Sequence, residues 1–209
     1  MYKRQGLKRF YDQNNEIIII DDGSNDGSKA ILSKCPFIVL INFKKNKGKG
    51  TAIIQGIKKS KYNKIIIYDG DLELKLTDIS KLMILNKKKG LNNVIGYRFK
   101  NLSKVRSSLD WGNFMFTVFF NLLYRSCHKD ILCCAKSFYK KGIFVKHLKS
   151  KGFDIDVELA SIITTSHWSR RVNQVQLNYT RRTVAEGKKL KVLDGWIILK
   201  RIIITLIKF

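Results

Sequence analysis

The sequence predicts an α/β domain with a largely parallel central sheet and helices on both faces, and three observations carry that prediction. Short apolar, β-branched runs recur at residues 16–20, 37–41, 64–68 and 93–96. Helix-patterned segments separate them, the alternation expected of right-handed βαβ crossovers. Acidic and turn residues gather just after the runs, and in open parallel sheets ligands sit beyond the carboxyl ends of the strands.

Residues 16–20 (EIIII) give the first predicted strand, and residues 21–28 (DDGSNDGS) follow with turn and helix N-cap chemistry. A short helix over 28–34 closes before Pro36, and 37–41 gives a second strand. A loop rich in Lys and Gly, 42–50, opens a helix over 51–60. The strand 64–68 comes next, then a helix over 77–89 and a strand over 93–96 that ends near Arg98. Residues 101–110 are polar and basic, 111–124 read as an apolar helix, and 130–139 lead back to the body of the fold. At 152–159 (GFDIDVEL) a helix begins with its acids in the first turns, where the helix dipole favours them. Residues 172–179 alternate like an edge strand, and Arg181, Arg182, Lys188, Lys189 and Lys191 follow as either a solvated basic segment or a phosphate clamp. The final apolar stretch, 196–209, is interrupted by Lys200 and Arg201. It reads as an amphipathic helix, lying on a membrane surface or packed on the domain.

With 209 residues the chain is long enough for one domain with a substantial core, and 44% apolar and 27% charged residues argue against wholesale disorder. A formal charge of +25 favours anionic partners: nucleic acid, acidic lipid or phosphorylated substrates. Lys far exceeds Arg in a chain also rich in Ile and Asn, so part of that excess is expected on solvated faces. No RNA- or DNA-binding motif accompanies the charge, and nucleic acid is not an expected partner. Cys35, Cys127, Cys133 and Cys134 show no C-x-x-C pair and no recognised zinc spacing, which points to free thiols in a reducing compartment. His147 and His167 have no matched nucleophile and read as surface or packing residues. The basic N-terminal residues lack the apolar segment of a signal peptide, and no run reaches the roughly 18 apolar residues of a membrane span.

The most informative stretch is 64–73 (KIIIYDGDLE), a buried-strand pattern ending in Asp69, Asp71 and Glu73. Residues two apart on an extended backbone point the same way, so the three carboxylates could converge, and a hard cation such as Mg²⁺ or Mn²⁺ would relieve their repulsion. The same letters also spell a polar turn after a core strand. Asp21, Asp22 and Arg98 fall at neighbouring strand ends, where Arg98 could meet phosphate oxygens. The loop Lys47-Gly48-Lys49-Gly50-Thr51 is not a P-loop, because a Gly separates Lys from Thr, and Ile53 stands where the third Gly of G-x-G-x-x-G belongs.

These stretches resemble the inverting GT-A glycosyltransferases of family 2, and within them the dolichyl-phosphate and polyprenyl-phosphate sugar transferases. The matching segments are 16–28, 46–56, 65–73, 94–98, 152–159 and 179–189, in the family's order and spacing. The resemblance implies a Rossmann-like GT-A domain over 1–195 with an apolar and basic C-terminal helix over 196–209. It implies that Ile20 and Asp22 hold the nucleoside, that Asp69, Gly70 and Asp71 meet metal and diphosphate, and that Glu73 adds a metal ligand. Arg98, Arg182 and Lys188 match positions that grip phosphates, Asp130 an acid on the acceptor side and Arg106 a further basic position. Glu158 fits a family acid. The family opens with an apolar strand and a P-x-Y-N-E-like segment upstream of the D-D-G-S. Only fifteen residues precede Glu16 and none carries that strand, so the first strand is expected to be missing or supplied elsewhere.

The reaction so implied moves a sugar from a nucleotide-sugar of the GDP-mannose or UDP-glucose type to a polyprenyl phosphate, with Asp71 and the metal stabilising the departing diphosphate. The acceptor phosphate is already anionic, so no general base is required. A peripheral position on the cytoplasmic face of an anionic membrane goes with this reading. Transfer to a sugar hydroxyl, with Asp130 or Glu158 as base, keeps the fold but changes the acceptor. The processive-synthase pattern Q-x-x-R-W is absent, and a non-catalytic remnant is the third reading.

Overall fold

The structure, a computed structural model, describes residues 2–99, 108–143, 145–166, 172–182 and 192–208. Helix α1 (Tyr2–Asp12) leads to strand β1 (Ile18–Asp21), helix α2 (Ser28–Ser33), strand β2 (Val39–Asn42), helix α3 (Lys49–Lys59) and strand β3 (Lys64–Ile67). A short helix α4 (Ile79–Leu82) precedes strand β4 (Asn93–Tyr97), helix α5 (Ser108–Tyr124), strand β5 (Lys136–Tyr139), helix α6 (Ile155–Thr165), strand β6 (Asn173–Gln176) and helix α7 (Val192–Lys208).

Among the described residues the strands form two sheets, β1-β2 and β3-β5-β4-β6. The pair β1 and β2 is parallel, as is β4 and β6, while β5 runs antiparallel to both β3 and β4. In the larger sheet, then, β3, β4 and β6 share one direction and β5 alone is reversed. The α/β class stands, with β6 at the edge that its alternation predicts. That 130–139 contains a central strand was not legible, because Lys136 interrupts its apolar run on the core face.

Side-chain alternation sends successive strand residues to opposite layers. Ile65, Ile67, Ile95 and Phe138 join Phe120, Leu159, Ile163, Ile198 and Ile202 in the main core, beneath α5, α6 and α7. Val94 and Tyr139 face the other way, with Leu74, Leu82, Leu85 and Leu177. Helix α6 is buried along 155–163, polar residues included. A polar spine ties three helices together: the Tyr124 hydroxyl lies 2.7 Å from Thr205 Oγ1, which lies 3.0 Å from Ser161 Oγ.

The helix expected over 77–89 is instead α4 between two 3₁₀ turns, Leu76–Asp78 and Lys87–Lys89. Asn86 explains the second break: its side chain accepts from Lys89 N, and it pairs with Leu91 across Gly90, which has φ 70°. The Ser137 hydroxyl donates to Leu82 O at 2.8 Å, satisfying a carbonyl at the end of α4.

His128, beside Cys127 in the sequence, is a packing residue. It is buried against the Phe120 ring, with Nε2 2.7 Å from Thr164 Oγ1 and its backbone N–H donated to Asn121 Oδ1. Burial, helped by the Lys136 charge, lowers its pKa from 6.5 to about 4. The unfolded chain therefore takes up this proton first, and stability falls as pH drops from about 6.5 toward 4, by up to about 3 kcal/mol. Melting temperatures across that window should fall for the wild type and be flatter for His128→Gln; equal slopes would assign the loss to other groups.

Candidate active site

Two glycines let the β2–α3 loop reach the site. Gly48 has φ 90°, and a Cβ there would lie 2.4 Å from Lys151 O, while one on Gly50 would lie 2.2 Å from Ser150 O. Only a bare backbone permits this approach, which Gly50 N seals by donating to Lys151 O at 2.8 Å. The Asp22 carboxylate holds the loop from the other side, accepting from Lys47 N at 2.7 Å and Gly48 N at 2.9 Å. Ile20 packs its Cδ1 against Gly56 of α3. Asp21 closes the turn after β1 by accepting from Ser24 N.

So anchored, α3 begins with Lys49, whose ammonium lies 2.8 Å from Asp69 Oδ2 and 2.9 Å from Asp156 Oδ2. Burial alone would lower the Lys49 pKa, but the two carboxylates raise it well above its ordinary value. Burial would likewise raise the Asp69 pKa, and Lys49 lowers it instead, aided by hydrogen bonds from Lys49 and Cys134. Both groups are charged at neutral pH. Sequence reasoning missed Lys49 and Asp156; the signal was a lysine between two glycines opposite a second acid-rich turn.

After Asp69 the backbone turns through Gly70, where the space a Cβ would fill is open, and through Leu72, a non-glycine residue at φ 71° with an exposed side chain. That left-handed conformation is uncommon for leucine. Asp71 Oδ1 accepts from Glu73 N at 3.1 Å, and Asp71 Oδ2 accepts from Arg182 Nη2 at 2.7 Å. Glu73 Oε1 accepts from Arg182 N at 3.2 Å. The segment after β6 runs along this loop, with Thr180 N donated to Glu73 O and Lys75 N to Asn178 O. Arg182 thus sits on the acid loop.

The expectation that Asp69, Asp71 and Glu73 close around one ion needs correction. Each has a basic neighbour, and among the described residues no group of three His, Cys, Asp or Glu side chains could hold a metal. Asp69 and Asp71 are nevertheless hard oxygen donors, 33% and 28% exposed, beside open space over Gly70. That set fits Mg²⁺ or Mn²⁺ arriving with substrate phosphates, because Mg²⁺ is commonly held by one or two carboxylates plus phosphate oxygens.

Arg98 and Asp130 also depart from expectation. They form a two-pronged pair, Nε to Oδ2 at 2.7 Å and Nη2 to Oδ1 at 2.9 Å, and Arg98 N donates to Oδ2 as well. Burial would lower the Arg98 pKa, yet Asp130 raises it well above the ordinary value. Arg98 also stacks on Tyr179, next to the Arg182 segment. A buried carboxylate accepting three hydrogen bonds is no free base, so Asp130 braces the site instead. Glu158 is equally committed: it accepts from Lys149 N and Ser150 N, with Arg201 Nη1 3.5 Å away. Arg106, His167, Lys188, Lys189 and Lys191 lie outside the described residues.

Comparison with known proteins agrees with this geometry. The family described as Glycosyl transferase family 2 matches residues 3–148. The chain is 39% identical over 85 residues to human dolichyl-phosphate beta-glucosyltransferase, covering 38% of this chain and 25% of that protein. The Dictyostelium discoideum protein of the same name is 29% identical over 196 residues, covering 84% of this chain and 57% of its own length. Glycosyltransferase AglJ of Haloferax volcanii is 27% identical over 149 residues, 69% of this chain and 48% of that one. The chain therefore spans between 25% and 57% of the length of these curated relatives. Among solved structures, glucosyl-3-phosphoglycerate synthase of Mycobacterium tuberculosis with Mn²⁺, UDP and product superposes with a TM-score of 0.66 at 14% identity, over 92% of this chain and 69% of that one. That likeness establishes the GT-A fold, and the match over residues 3–148 places the chain in glycosyl transferase family 2.

Proposed function

We propose that this chain is the transferase domain of an enzyme that moves a sugar from a nucleotide-sugar, of the GDP-mannose or UDP-glucose type, to a polyprenyl phosphate with inversion. The observation that carries the reading is the array at the carboxyl end of β3, where Asp69 and Asp71 are partly exposed while Lys49 and Arg182 stand against them. Asp69 and Asp71 would hold the cation, which supplies Lewis-acid stabilisation of charge on the departing diphosphate. Arg182, 30% exposed and bound to Asp71, is placed to transfer its guanidinium to that diphosphate as the donor enters. Ile20 and Asp22 border the nucleoside side, and Lys188 is assigned to phosphate from the resemblance alone. The acceptor reading is supported by the commitment of both candidate bases, Asp130 and Glu158, to arginines. A phosphate acceptor needs no base; a sugar hydroxyl does.

The membrane surface enters through two helices. No helix among the described residues is long and apolar enough to cross a membrane. Helix α5 instead exposes Trp111, Met115, Val118 and Leu122, and α7 exposes Trp196, Ile203 and Ile207 around Lys200. Each stripe follows one helix face. The helices run parallel, since Gly195 approaches Phe116 while Ile202 and Thr205 meet Tyr124. Exposed apolar stripes on a chain of charge +25 suit the surface of an anionic bilayer on its cytoplasmic face. Helix α7 also supplies Ile198 and Ile202 to the core, so the proposed C-terminal element is continuous with the transferase domain.

Among the described residues β1 pairs only with β2 and β3 only with β5. These edges are open to pairing with a further strand of the kind that the family resemblance leads one to expect.

Asp71→Asn should lower transfer of labelled sugar from UDP-glucose or GDP-mannose to polyprenyl phosphate by about a hundredfold. Undiminished transfer would remove Asp71 from the reaction. In flotation assays the protein should rise with phosphatidylserine vesicles and less so with neutral ones, and Leu122→Glu combined with Ile207→Glu should abolish flotation. Flotation unchanged by that double substitution would rule these helices out as the contact.

A further inference from the structure

Lys136 is the least expected side chain in the fold. It stands in β5, within the larger sheet, with 0% exposure, and it faces the main core beside Phe138. A lysine buried so completely is costly unless its charge is paired and its protons are accepted. Its ammonium donates to the carbonyls of Ile131 and Cys133 and lies 3.6 Å from Asp156 Oδ1. That oxygen has no hydrogen-bond partner. The other oxygen of the same carboxylate receives Lys49, and Lys49 in turn holds Asp69.

Two cations and two carboxylates therefore alternate in a row: Lys136, Asp156, Lys49, Asp69. They come from β5, the first turn of α6, the first residue of α3 and the end of β3. Asp156 is 5% exposed, so its orientation is set by the two ammoniums on its opposite oxygens rather than by water. With Lys136 in place, Asp156 does not claim Lys49 alone, and the Lys49 ammonium is shared with Asp69. Without it, a single cation would face two carboxylates in a poorly solvated space, and Asp156 would be free to rotate away.

We propose that Lys136 is a positioning residue of the donor site, acting through Asp156 and Lys49 to fix where Asp69 stands. The inference rests on the reading of Asp69 as a donor-site residue, but the linkage can be measured without any donor. Lys136 and Asp69 share no hydrogen bond or ion pair among the described residues, but the Lys136 charge acts on Asp69 through space, so the part of their coupling that runs through the row is the part that disappears when Asp156 is replaced.

The test is a double-mutant cycle in thermal unfolding with Lys136→Met, Asp69→Asn and the pair. The cycle is run in the wild-type and in the Asp156→Asn background: coupling through the row predicts non-additive shifts of several degrees in the first that vanish in the second, while shifts additive in the first, or equally non-additive in both, overturn the proposal. Should Lys136→Met fail to fold, Lys136→Gln, which keeps a donor for the Ile131 and Cys133 carbonyls, runs in the same cycles. Calorimetric titration with UDP or GDP and Mn²⁺ is the second arm. Lys136→Met should bind the nucleotide about tenfold more weakly than wild type, and should weaken binding no further when added to Asp156→Asn, because Lys136 acts through that carboxylate. Lowered melting with wild-type nucleotide binding in Lys136→Met would make Lys136 a purely structural residue and overturn the proposal. If wild-type protein binds neither nucleotide, the donor reading fails, and the unfolding cycle still decides whether Lys136 acts on Asp69.

Discussion

The ammonium of Lys49 is the constraint on which the site depends. It is the link between the Gly-bearing β2–α3 loop, the first turn of α6 and the acid-bearing end of β3. In a chain of charge +25 with 16 acids, several of the carboxylates are buried, and each of these has a cation or backbone N–H groups assigned to it. Asp130 has Arg98, Asp154 has Arg201, and Glu158 has Arg201 with the 149–150 backbone. These pairs hold loops in place rather than adding much net stability, because desolvation offsets most of the attraction between buried charges. Asp69 and Asp71 differ in being partly open to solvent, with partners that a phosphate could draw away.

How much of this is legible from the letters follows from the kind of signal each residue gives. The strand-end acids are legible because β-branched runs followed by D-D-G-S and D-G-D mark both a parallel strand and the end at which ligands gather. Arg182 is legible as a basic residue beyond an edge strand, though its pairing with Asp71 is not. Lys49 looks like part of a failed phosphate loop, and Asp156 like an ordinary dipole-favoured acid, since their meeting depends on contact between residues 107 apart in the chain. Lys136 appears only as an interruption of an apolar run, and the reversal of β5 that buries it is a matter of topology. Asp130 shows the opposite failure: a strand-flanking acid reads as a base until Arg98 is seen to occupy both its oxygens.

The same polarity organises the exterior. The acids at the end of β3 lie in a domain whose α5 and α7 turn tryptophan, leucine and isoleucine outward. Under the proposed reading, a lipid-borne phosphate would reach the domain with its charge already in place, and the commitment of Asp130 and Glu158 to arginines suits such an acceptor. Among the described residues the two sheets are not joined by strand pairing, and β1 and β3 each keep an unpaired edge.

Manganese anomalous diffraction from crystals soaked with Mn²⁺ and UDP or GDP tests the central claim most directly. The account predicts a metal peak bridging the Asp69 and Asp71 carboxylates and the diphosphate, with Arg182 moved from Asp71 onto a phosphate oxygen. Nucleotide bound elsewhere, with Lys49 and Arg182 still on the acids and no metal between them, would contradict it.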